Sequence, residues 1–552
     1  MITMKKLLKL LLATVMSCTS FQMMELQASL MPCSETTSYN EDAHDYTVTA
    51  SPINTYLSKT NNGWMRFIND RGVQGYQVDY FDENFVETNR LFLDQQLPIF
   101  GAFYESSNHY YIVSGQTNYD ENNSLEVVRV SKYDKQWKHL KDCSISGINT
   151  TVPFDGGSVR LDDDGTYLVI RTAHEMYTSS DGYNHQSNMT LQIKMDDMTL
   201  SDSYSKVSNM NYGYVSHSFN QFIQTDGDYL VTLDHGDAHP RAFVVMQYKT
   251  NYKDGKFTSI KTSDVISSVK VFNFSGENGQ NSTGASAGGL EVSSTHYLMV
   301  GNSEVQDGSF SYKNTRNVFV GRVNKSTLET SYTYLTDLEE GVESATTPLL
   351  VKINDQSFVV LYEVNNQLYY QMLDNEGNSV TNAQPIAGSL SDCQPVVVGN
   401  TLNWFVYRQD ETTFYTLNVQ SGELQSKTVN TGHQYVHTSN VKDGYIELQC
   451  DKCQKESSVS SFTNIYTYWN DTGSGMFSSL FDGIRSVGET AYYMLDTDTG
   501  NNNGELRDEV QVTLSNPNVL VHDADVESFT PLRKGTCIVT FASKYNPDMK
   551  IT

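Results

Sequence analysis

Five of the twelve histidines fall between positions 174 and 239, and carboxylates accompany them. His174 and Glu175 follow an apolar run. Asp234-His235-Gly236-Asp237-Ala238-His239 follows another at nearly the same phase. His217 opens the segment before that second run, Asp155 holds the corresponding place one repeat earlier, and His185 lies on the loop between. Imidazoles and carboxylates converging on one spot can hold a transition metal or Ca²⁺. They can equally act as a general acid–base pair on a glycan or ester, with His174, His217, His235 and Asp237 as the working residues. His235 and His239 do not sit on a helical pattern, so their spacing carries no fixed ligand geometry. The competing reading has these side chains anchoring loops by hydrogen bonds to nearby backbone, and both stay open.

Other short patterns carry less. Cys450-Asp451-Lys452-Cys453 is a lone CxxC. Zinc would need two more ligands at suitable spacing, and no second CxxC exists, so a local disulfide or two free thiols is expected. Ser179-Ser180-Asp181-Gly182 and Asp162-Asp163-Asp164-Gly165 read as turns, and His433 and His437 as flanks of a strand edge. The chain contains no Walker motif, nucleophile elbow or HExxH. No cofactor is expected.

The elements that must position these residues form a repeat: a short apolar strand, a polar turn, a strongly apolar or aromatic strand, then a third strand. The second strands are centred on Trp64–Phe67, Tyr110–Val113, Tyr167–Ile170, Tyr229–Thr232, Tyr297–Val300, Phe358–Leu361, Trp404–Tyr407 and Tyr445–Leu448. Third strands follow, as at Glu126–Tyr133, Asn317–Val323 and Leu368–Leu373, and turn signals such as Lys132-Tyr133-Asp134-Lys135 close them. A repeat of this length is the mark of propeller blades. The fold expected is all-β: a β-propeller over residues 45–470, with eight blades preferred and seven as the alternative. Asp45–Ala50 would supply the strand that closes the ring, removing free sheet edges.

Composition sets the surroundings. The chain has 552 residues, with 38 Lys+Arg against 65 Asp+Glu, for a formal charge of -27. That charge excludes a general electrostatic attraction to nucleic acid or anionic lipid, both polyanions. Lys5, Lys6 and Lys9 with the apolar Leu7–Met16 read as an export signal, residues 1–28, cut near Ala28. Val15-Met16-Ser17-Cys18 offers the alternative of a lipid anchor on Cys18. No later segment is long and apolar enough for a membrane span. A secreted or cell-surface location is expected, where the remaining six cysteines are free to pair.

After a Gly/Ser/Asp-rich stretch, Asp471–Ser479, the pattern changes. Ser486–Thr490, Val512–Val519 and Pro531–Thr540 follow one another as opening strand, strand and turn, and closing strand. In that order they resemble the bacterial Ig-like domain of group 2, over residues 483–552. The departures are the polar insertion Asp498–Glu509 and Cys537 at a position where the family has a small residue. The resemblance implies a small β-sandwich used as a spacer or adhesive unit, without catalytic residues. The propeller part resembles N-terminal regions of surface proteins from gut-type Gram-positive bacteria that carry such modules, which implies no activity.

Two functions follow as expectations. In one, the propeller is an extracellular binding module for a glycan or protein, its aromatic rings stacking on sugars and its Asn or Asp bonding hydroxyls. In the other, it is a carbohydrate-active lyase or hydrolase using the His/Asp rim.

Overall fold

The structure is a computed structural model. It describes residues 32–34, 40, 53–70, 75–155, 159–206, 218–249, 265–280, 282–304, 315–408, 411–442, 445–460, 462–469, 491–497, 510–523, 528–544, 548 and 550–552. Among these the regular elements are all strands. No helix among them is long and apolar enough to cross a membrane. The chain divides into two compact units, residues 34–432 and residues 1–33 with 433–552.

Residues 34–432 form a β-propeller of seven antiparallel sheets, each a four-strand meander in which consecutive strands pair; in sheet 3 the short strand Val152–Pro153 also pairs with Tyr167–Thr178. Sheet 1 runs from Thr55–Thr60 to Glu87–Leu93, sheet 2 from Ile99–Glu105 to His139–Ser146, and sheet 3 from Arg160–Asp163 to Thr199–Tyr204. Sheet 4 runs from Ser218–Asp226 to Val265–Asn273 and sheet 5 from Ala285–Val292 to Thr330–Tyr334. Sheet 6 covers Leu349–Asn354 to Gln384–Ile386, and sheet 7 Val396–Val398 to Leu424–Asn430. The second strands are the apolar runs read from the sequence. Gly63–Ile68 and Tyr110–Gly115 are buried along their whole length, because a sheet lies against each of their faces. The outer strands are polar and exposed, as in Thr330–Tyr334 and Leu424–Asn430, which blunts the edges they present.

The core sits between neighbouring sheets. Phe67 of sheet 1 packs on Phe103 of sheet 2, whose Tyr111 and Val113 join Leu168 and Ile170 of sheet 3. Val169 then meets Leu230 and Val244 of sheet 4, Phe272 meets Phe319 of sheet 5, and Val300 meets Phe358 of sheet 6. One cluster completes the circle, joining Leu361 of sheet 6, Trp404 and Phe414 of sheet 7, and Trp64 and Phe81 of sheet 1. Buried guanidinium groups add polar staples. Arg66 of sheet 1 pairs with Asp79 and also bonds Thr412 of sheet 7, and Arg171 of sheet 3 pairs with Asp234 of sheet 4.

The ring therefore closes on seven sheets, the alternative to the preferred eight. Sheet 7 already buries Phe414 against Phe81, ring centroids 4.8 Å apart, and this leaves no open face for another blade. The eighth copy, Tyr445–Leu448, is the middle of a three-stranded sheet with Tyr435–Lys442 and Glu456–Ser460. That sheet has its own small core of Ile446, Leu448 and Val459, and it groups with the C-terminal strands. Asp45–Ala50, the segment expected to close the ring, lies outside the described residues, as do residues 1–28 with Cys18.

The C-terminal strands form two sheets. One orders Phe462–Trp469, Ala491–Thr497, Ser528–Pro531 and Leu520–Asp523, and the other Val510–Leu514, Val539–Ser543 and Lys550–Ile551. Leu520 and Phe529 from the first sheet pack on Val539 and Phe541 from the second, a sandwich core. Phe462–Trp469, placed in the propeller by the 45–470 reading, pairs with Ala491–Thr497 and belongs here. The segments Val512–Val519 and Pro531–Thr540 pair directly, with Leu514 opposite Val539 and Thr513 opposite Thr540. Ser486–Thr490 and the insertion Asp498–Glu509 lie outside the described residues.

Candidate functional site

The His/Asp rim resolves into separate groups, each with its own local partners, although buried His174 Nε2 has no hydrogen-bond partner among the described residues. His174, on Tyr167–Thr178, is fully enclosed, and its Nδ1 bonds Thr150 Oγ1 at 2.7 Å. Burial pulls its imidazole down to about 3, so the ring is neutral. Glu175 accepts a 2.6 Å bond from Thr151 Oγ1. Asp155 stands close enough for Glu175 to add to the burial that raises its carboxyl. Its backbone carbonyl accepts from Gln186 Nε2 at 2.7 Å. His185 pairs with Asp181 on an exposed turn.

In sheet 4, Asp234 is clamped by the Arg171 guanidinium, Nε to Oδ1 2.9 Å, and by Asn188 Nδ2 at 2.8 Å. His235 bonds Thr283 Oγ1 at 2.7 Å and packs on the rings of Phe243 and Phe274. Burial, with the positive charge of Arg316 beside it, lowers this imidazole to about 3. Asp237 is buried, its backbone carbonyl accepting from Arg241 Nη1 and from the N–H of Gly279. Half-buried His239 precedes Pro240 through a cis peptide. His217 lies outside the described residues. Among the described residues, no three of these donors gather around one point. The group that does is elsewhere: Cys33, His433, Cys450 and Cys453.

A different face of the ring offers room. A cavity of about 750 Å³ opens on sheets 1 and 2, lined by Lys59, Asn61, Asn62, Tyr80, Asn89, Glu105, Tyr110, Lys135, Gln136 and Trp137, among others. The hairpins joining first to second and third to fourth strands build it, at the end of the sheets opposite the His/Asp loops. Local chemistry sets each wall. Asp134 Oδ1 accepts from the N–H groups of Gln136 and Lys138, both at 2.9 Å, and Trp137 takes the left-handed φ of 63°. The indole then stacks on Tyr110, centroids 4.5 Å apart, and donates to Tyr80 Oη at 2.9 Å. Opposite, Gly63 lets the first hairpin close under the third strand, since a Cβ there would lie 2.0 Å from Phe81 O.

The charges in this basin are already matched. Lys135 Nζ bonds Glu105 at 2.6 Å and lies 4.2 Å from the Tyr110 ring centre. Lys59 bonds Glu83 at 2.7 Å and the carbonyls of Thr60 and Gly63. Exposed amides are left over on Asn61, Asn62, Asn89 and Gln136. Lys59 and Glu105 also border a second cavity, about 480 Å³, reaching Tyr56, Phe103, Tyr104, Arg160 and Gln394 between the first strands of sheets 7, 1, 2 and 3. In the sequence, Asp134-Lys135 is hairpin punctuation. The usable signal was that this turn carries Gln136 and Trp137 beside its two charges.

No family model matches the chain, and no curated protein matches it. Among solved structures it is similar to a 6-phosphogluconolactonase-like protein of Bacteroides fragilis, with TM-score 0.39 and 13% identity, covering 69% of this chain and 94% of that one. A protein from Lactobacillus plantarum gives TM-score 0.37 at 15% identity, over 69% of this chain and 96% of its own. The dihydro-heme d1 dehydrogenase NirN gives TM-score 0.36 at 10% identity, over 75% and 74%.

Proposed function

We propose that the protein is an exported binding protein whose propeller receives a neutral glycan in the basin on sheets 1 and 2, with the C-terminal sandwich as an Ig-like spacer. The observation that carries this is the lining: exposed Asn61, Asn62, Asn89 and Gln136 beside the rings of Tyr80, Tyr110 and Trp137. Side-chain amides donate and accept at once, as sugar hydroxyls require, and half-buried Tyr80, backed by the stacked Tyr110 and Trp137, adds an apolar wall. Both lysines are neutralised by glutamates, so no net charge favours an ionic ligand. Glycoside hydrolysis by the usual route needs two carboxyl groups flanking the bond. Glu105 is the one carboxylate among the lining residues, and Lys135 holds it.

The test is a glycan array followed by calorimetry on the strongest ligand. Asn89→Ala, at an exposed position, should weaken binding about two- to tenfold, one hydrogen bond's worth, with unchanged melting. Binding that survives the triple change Asn61→Ala, Asn62→Ala and Asn89→Ala, or an array without ligands, would overturn the reading.

A further inference from the structure

We propose that Cys33, His433, Cys450 and Cys453 form a structural zinc site of the Cys₃His type. Their donor atoms all lie within 4.8 Å of one another. Cys33 Sγ is 3.5 Å from Cys450 Sγ, and Cys453 Sγ is 3.3 Å from His433 Nδ1. A tetrahedral zinc with Zn–S bonds of about 2.3 Å sets its sulfurs about 3.8 Å apart, so these separations need only small side-chain adjustments. Disulfide chemistry does not account for the group. Three sulfurs meet here, an odd number, and an imidazole completes the set.

The backbone around the group has the form a metal site requires. Cys450 ends the strand Tyr445–Cys450, and the chain turns through Asp451–Cys453. Gln454 adopts a left-handed φ of 62°, its N–H donates to Cys450 O at 2.9 Å, and Cys450 N–H donates to Lys455 O at 2.9 Å. This tight hairpin tip points both sulfurs of the CxxC to one side. Gln434 N–H donates to Cys450 Sγ at 3.4 Å, and Asp451 N–H donates to Gln434 O, which draws the residue after His433 onto the turn. His433 is braced by stacking on Tyr435, 5.1 Å between ring centres. Such outer bonds orient ligands and offset the charge on sulfur.

Cys33 and Cys450 are buried, and the Gln434 N–H and the two neighbouring sulfur and nitrogen donors converge on the Cys450 side of the turn. Zinc entry displaces the three thiol protons to solvent and leaves three Zn–S bonds and one Zn–N bond, with one net negative charge. A clip between positions 33 and 450 closes a loop through most of the chain, where cross-links restrict the unfolded state most.

The test uses the full chain, reduced and purified without chelator. Elemental analysis should find about one zinc per chain, and Co²⁺ in its place should give the intense visible bands and thiolate charge transfer of a tetrahedral, sulfur-rich site. Cys453→Ser and His433→Ala should each lower metal affinity by more than about 100-fold, beyond the range of outer-sphere changes. Cys537→Ser, at a half-exposed thiol outside the group, should leave metal content unchanged. The wild-type cobalt spectrum needs no variant, so a variant that fails to fold leaves the proposal testable. A reduced chain without stoichiometric metal, an octahedral cobalt spectrum, or a persistent Cys33–Cys450 disulfide that excludes metal would overturn it.

Discussion

His174 and His235 are enclosed, neutral and hydrogen-bonded to threonines, and this makes them acid-sensitive struts of the ring. The perturbation is His174→Asn with His235→Gln, each amide placed to replace the ring nitrogen that bonds threonine. The folded imidazoles titrate at about 3, against an ordinary 6.5. A lowered folded value means that the unfolded chain binds protons first, so the neutral struts contribute fully above about 6.5 and lose their contribution as pH falls toward 3. Between pH 7 and pH 5 an unfolded histidine goes from about one-quarter to nearly fully protonated, while the folded one stays neutral. The integral is about 2 kcal/mol per histidine, about 4 for the pair. At about 2.1 cal mol⁻¹ K⁻¹ per residue over the ring, this corresponds to a midpoint shift of about 5 °C. The wild-type curve alone hides the effect. Burial raises Glu291 to about 8 and Asp392 to about 6, and raised carboxyls gain stability as pH falls, with the opposite sign. The quantity to measure is therefore the melting difference between wild type and the double variant by calorimetry at pH 7 and pH 5, in which the carboxyl contributions cancel. The gap should shrink by about 5 °C on acidification. A gap that stays constant or widens refutes the reasoning.

Two further outcomes test the packing of the ring. Asp234→Ala leaves the fully buried Arg171 guanidinium without its counter-charge and should cost about 3–5 kcal/mol in chemical unfolding. Arg171→Met with Asp234→Leu should recover most of that loss, because no charge is then stranded. Gly63→Ala forces a side chain onto a backbone at φ 144° and against Phe81 O. It should cost at least about 1–3 kcal/mol in melting experiments and weaken binding in the adjoining basin.

The repeat was readable because a strand buried on both faces has to be a continuous apolar run. Every such run from Trp64–Phe67 to Tyr445–Leu448 lies in the second strand of a sheet. What an apolar run cannot state is its neighbour. Tyr445–Leu448 is an aromatic-led second strand like Trp404–Tyr407, although Glu447 interrupts it, yet the first sits in a three-stranded sheet with its own core and the second closes the ring against Trp64 and Phe81. That choice depends on whether sheet 7 still has a free face, which no window of sequence around residue 445 contains. The histidines are a related case. His174 and His235 follow their second strands at nearly the same phase, but phase along a strand does not tell that each bonds a loop threonine, Thr150 and Thr283. The cysteines are the extreme case. Cys450 and Cys453 announce themselves by spacing, but Cys33 comes from 417 residues away and His433 is separated from the pair by a whole hairpin. A motif search at fixed spacing sees half of such a site and scores it as a stray CxxC. Chain reversal within the meander brings His433, and Cys33 arrives from the far side of the propeller sequence, so an isolated metal-type pair at a hairpin tip is best judged by what the rest of the chain can deliver to it.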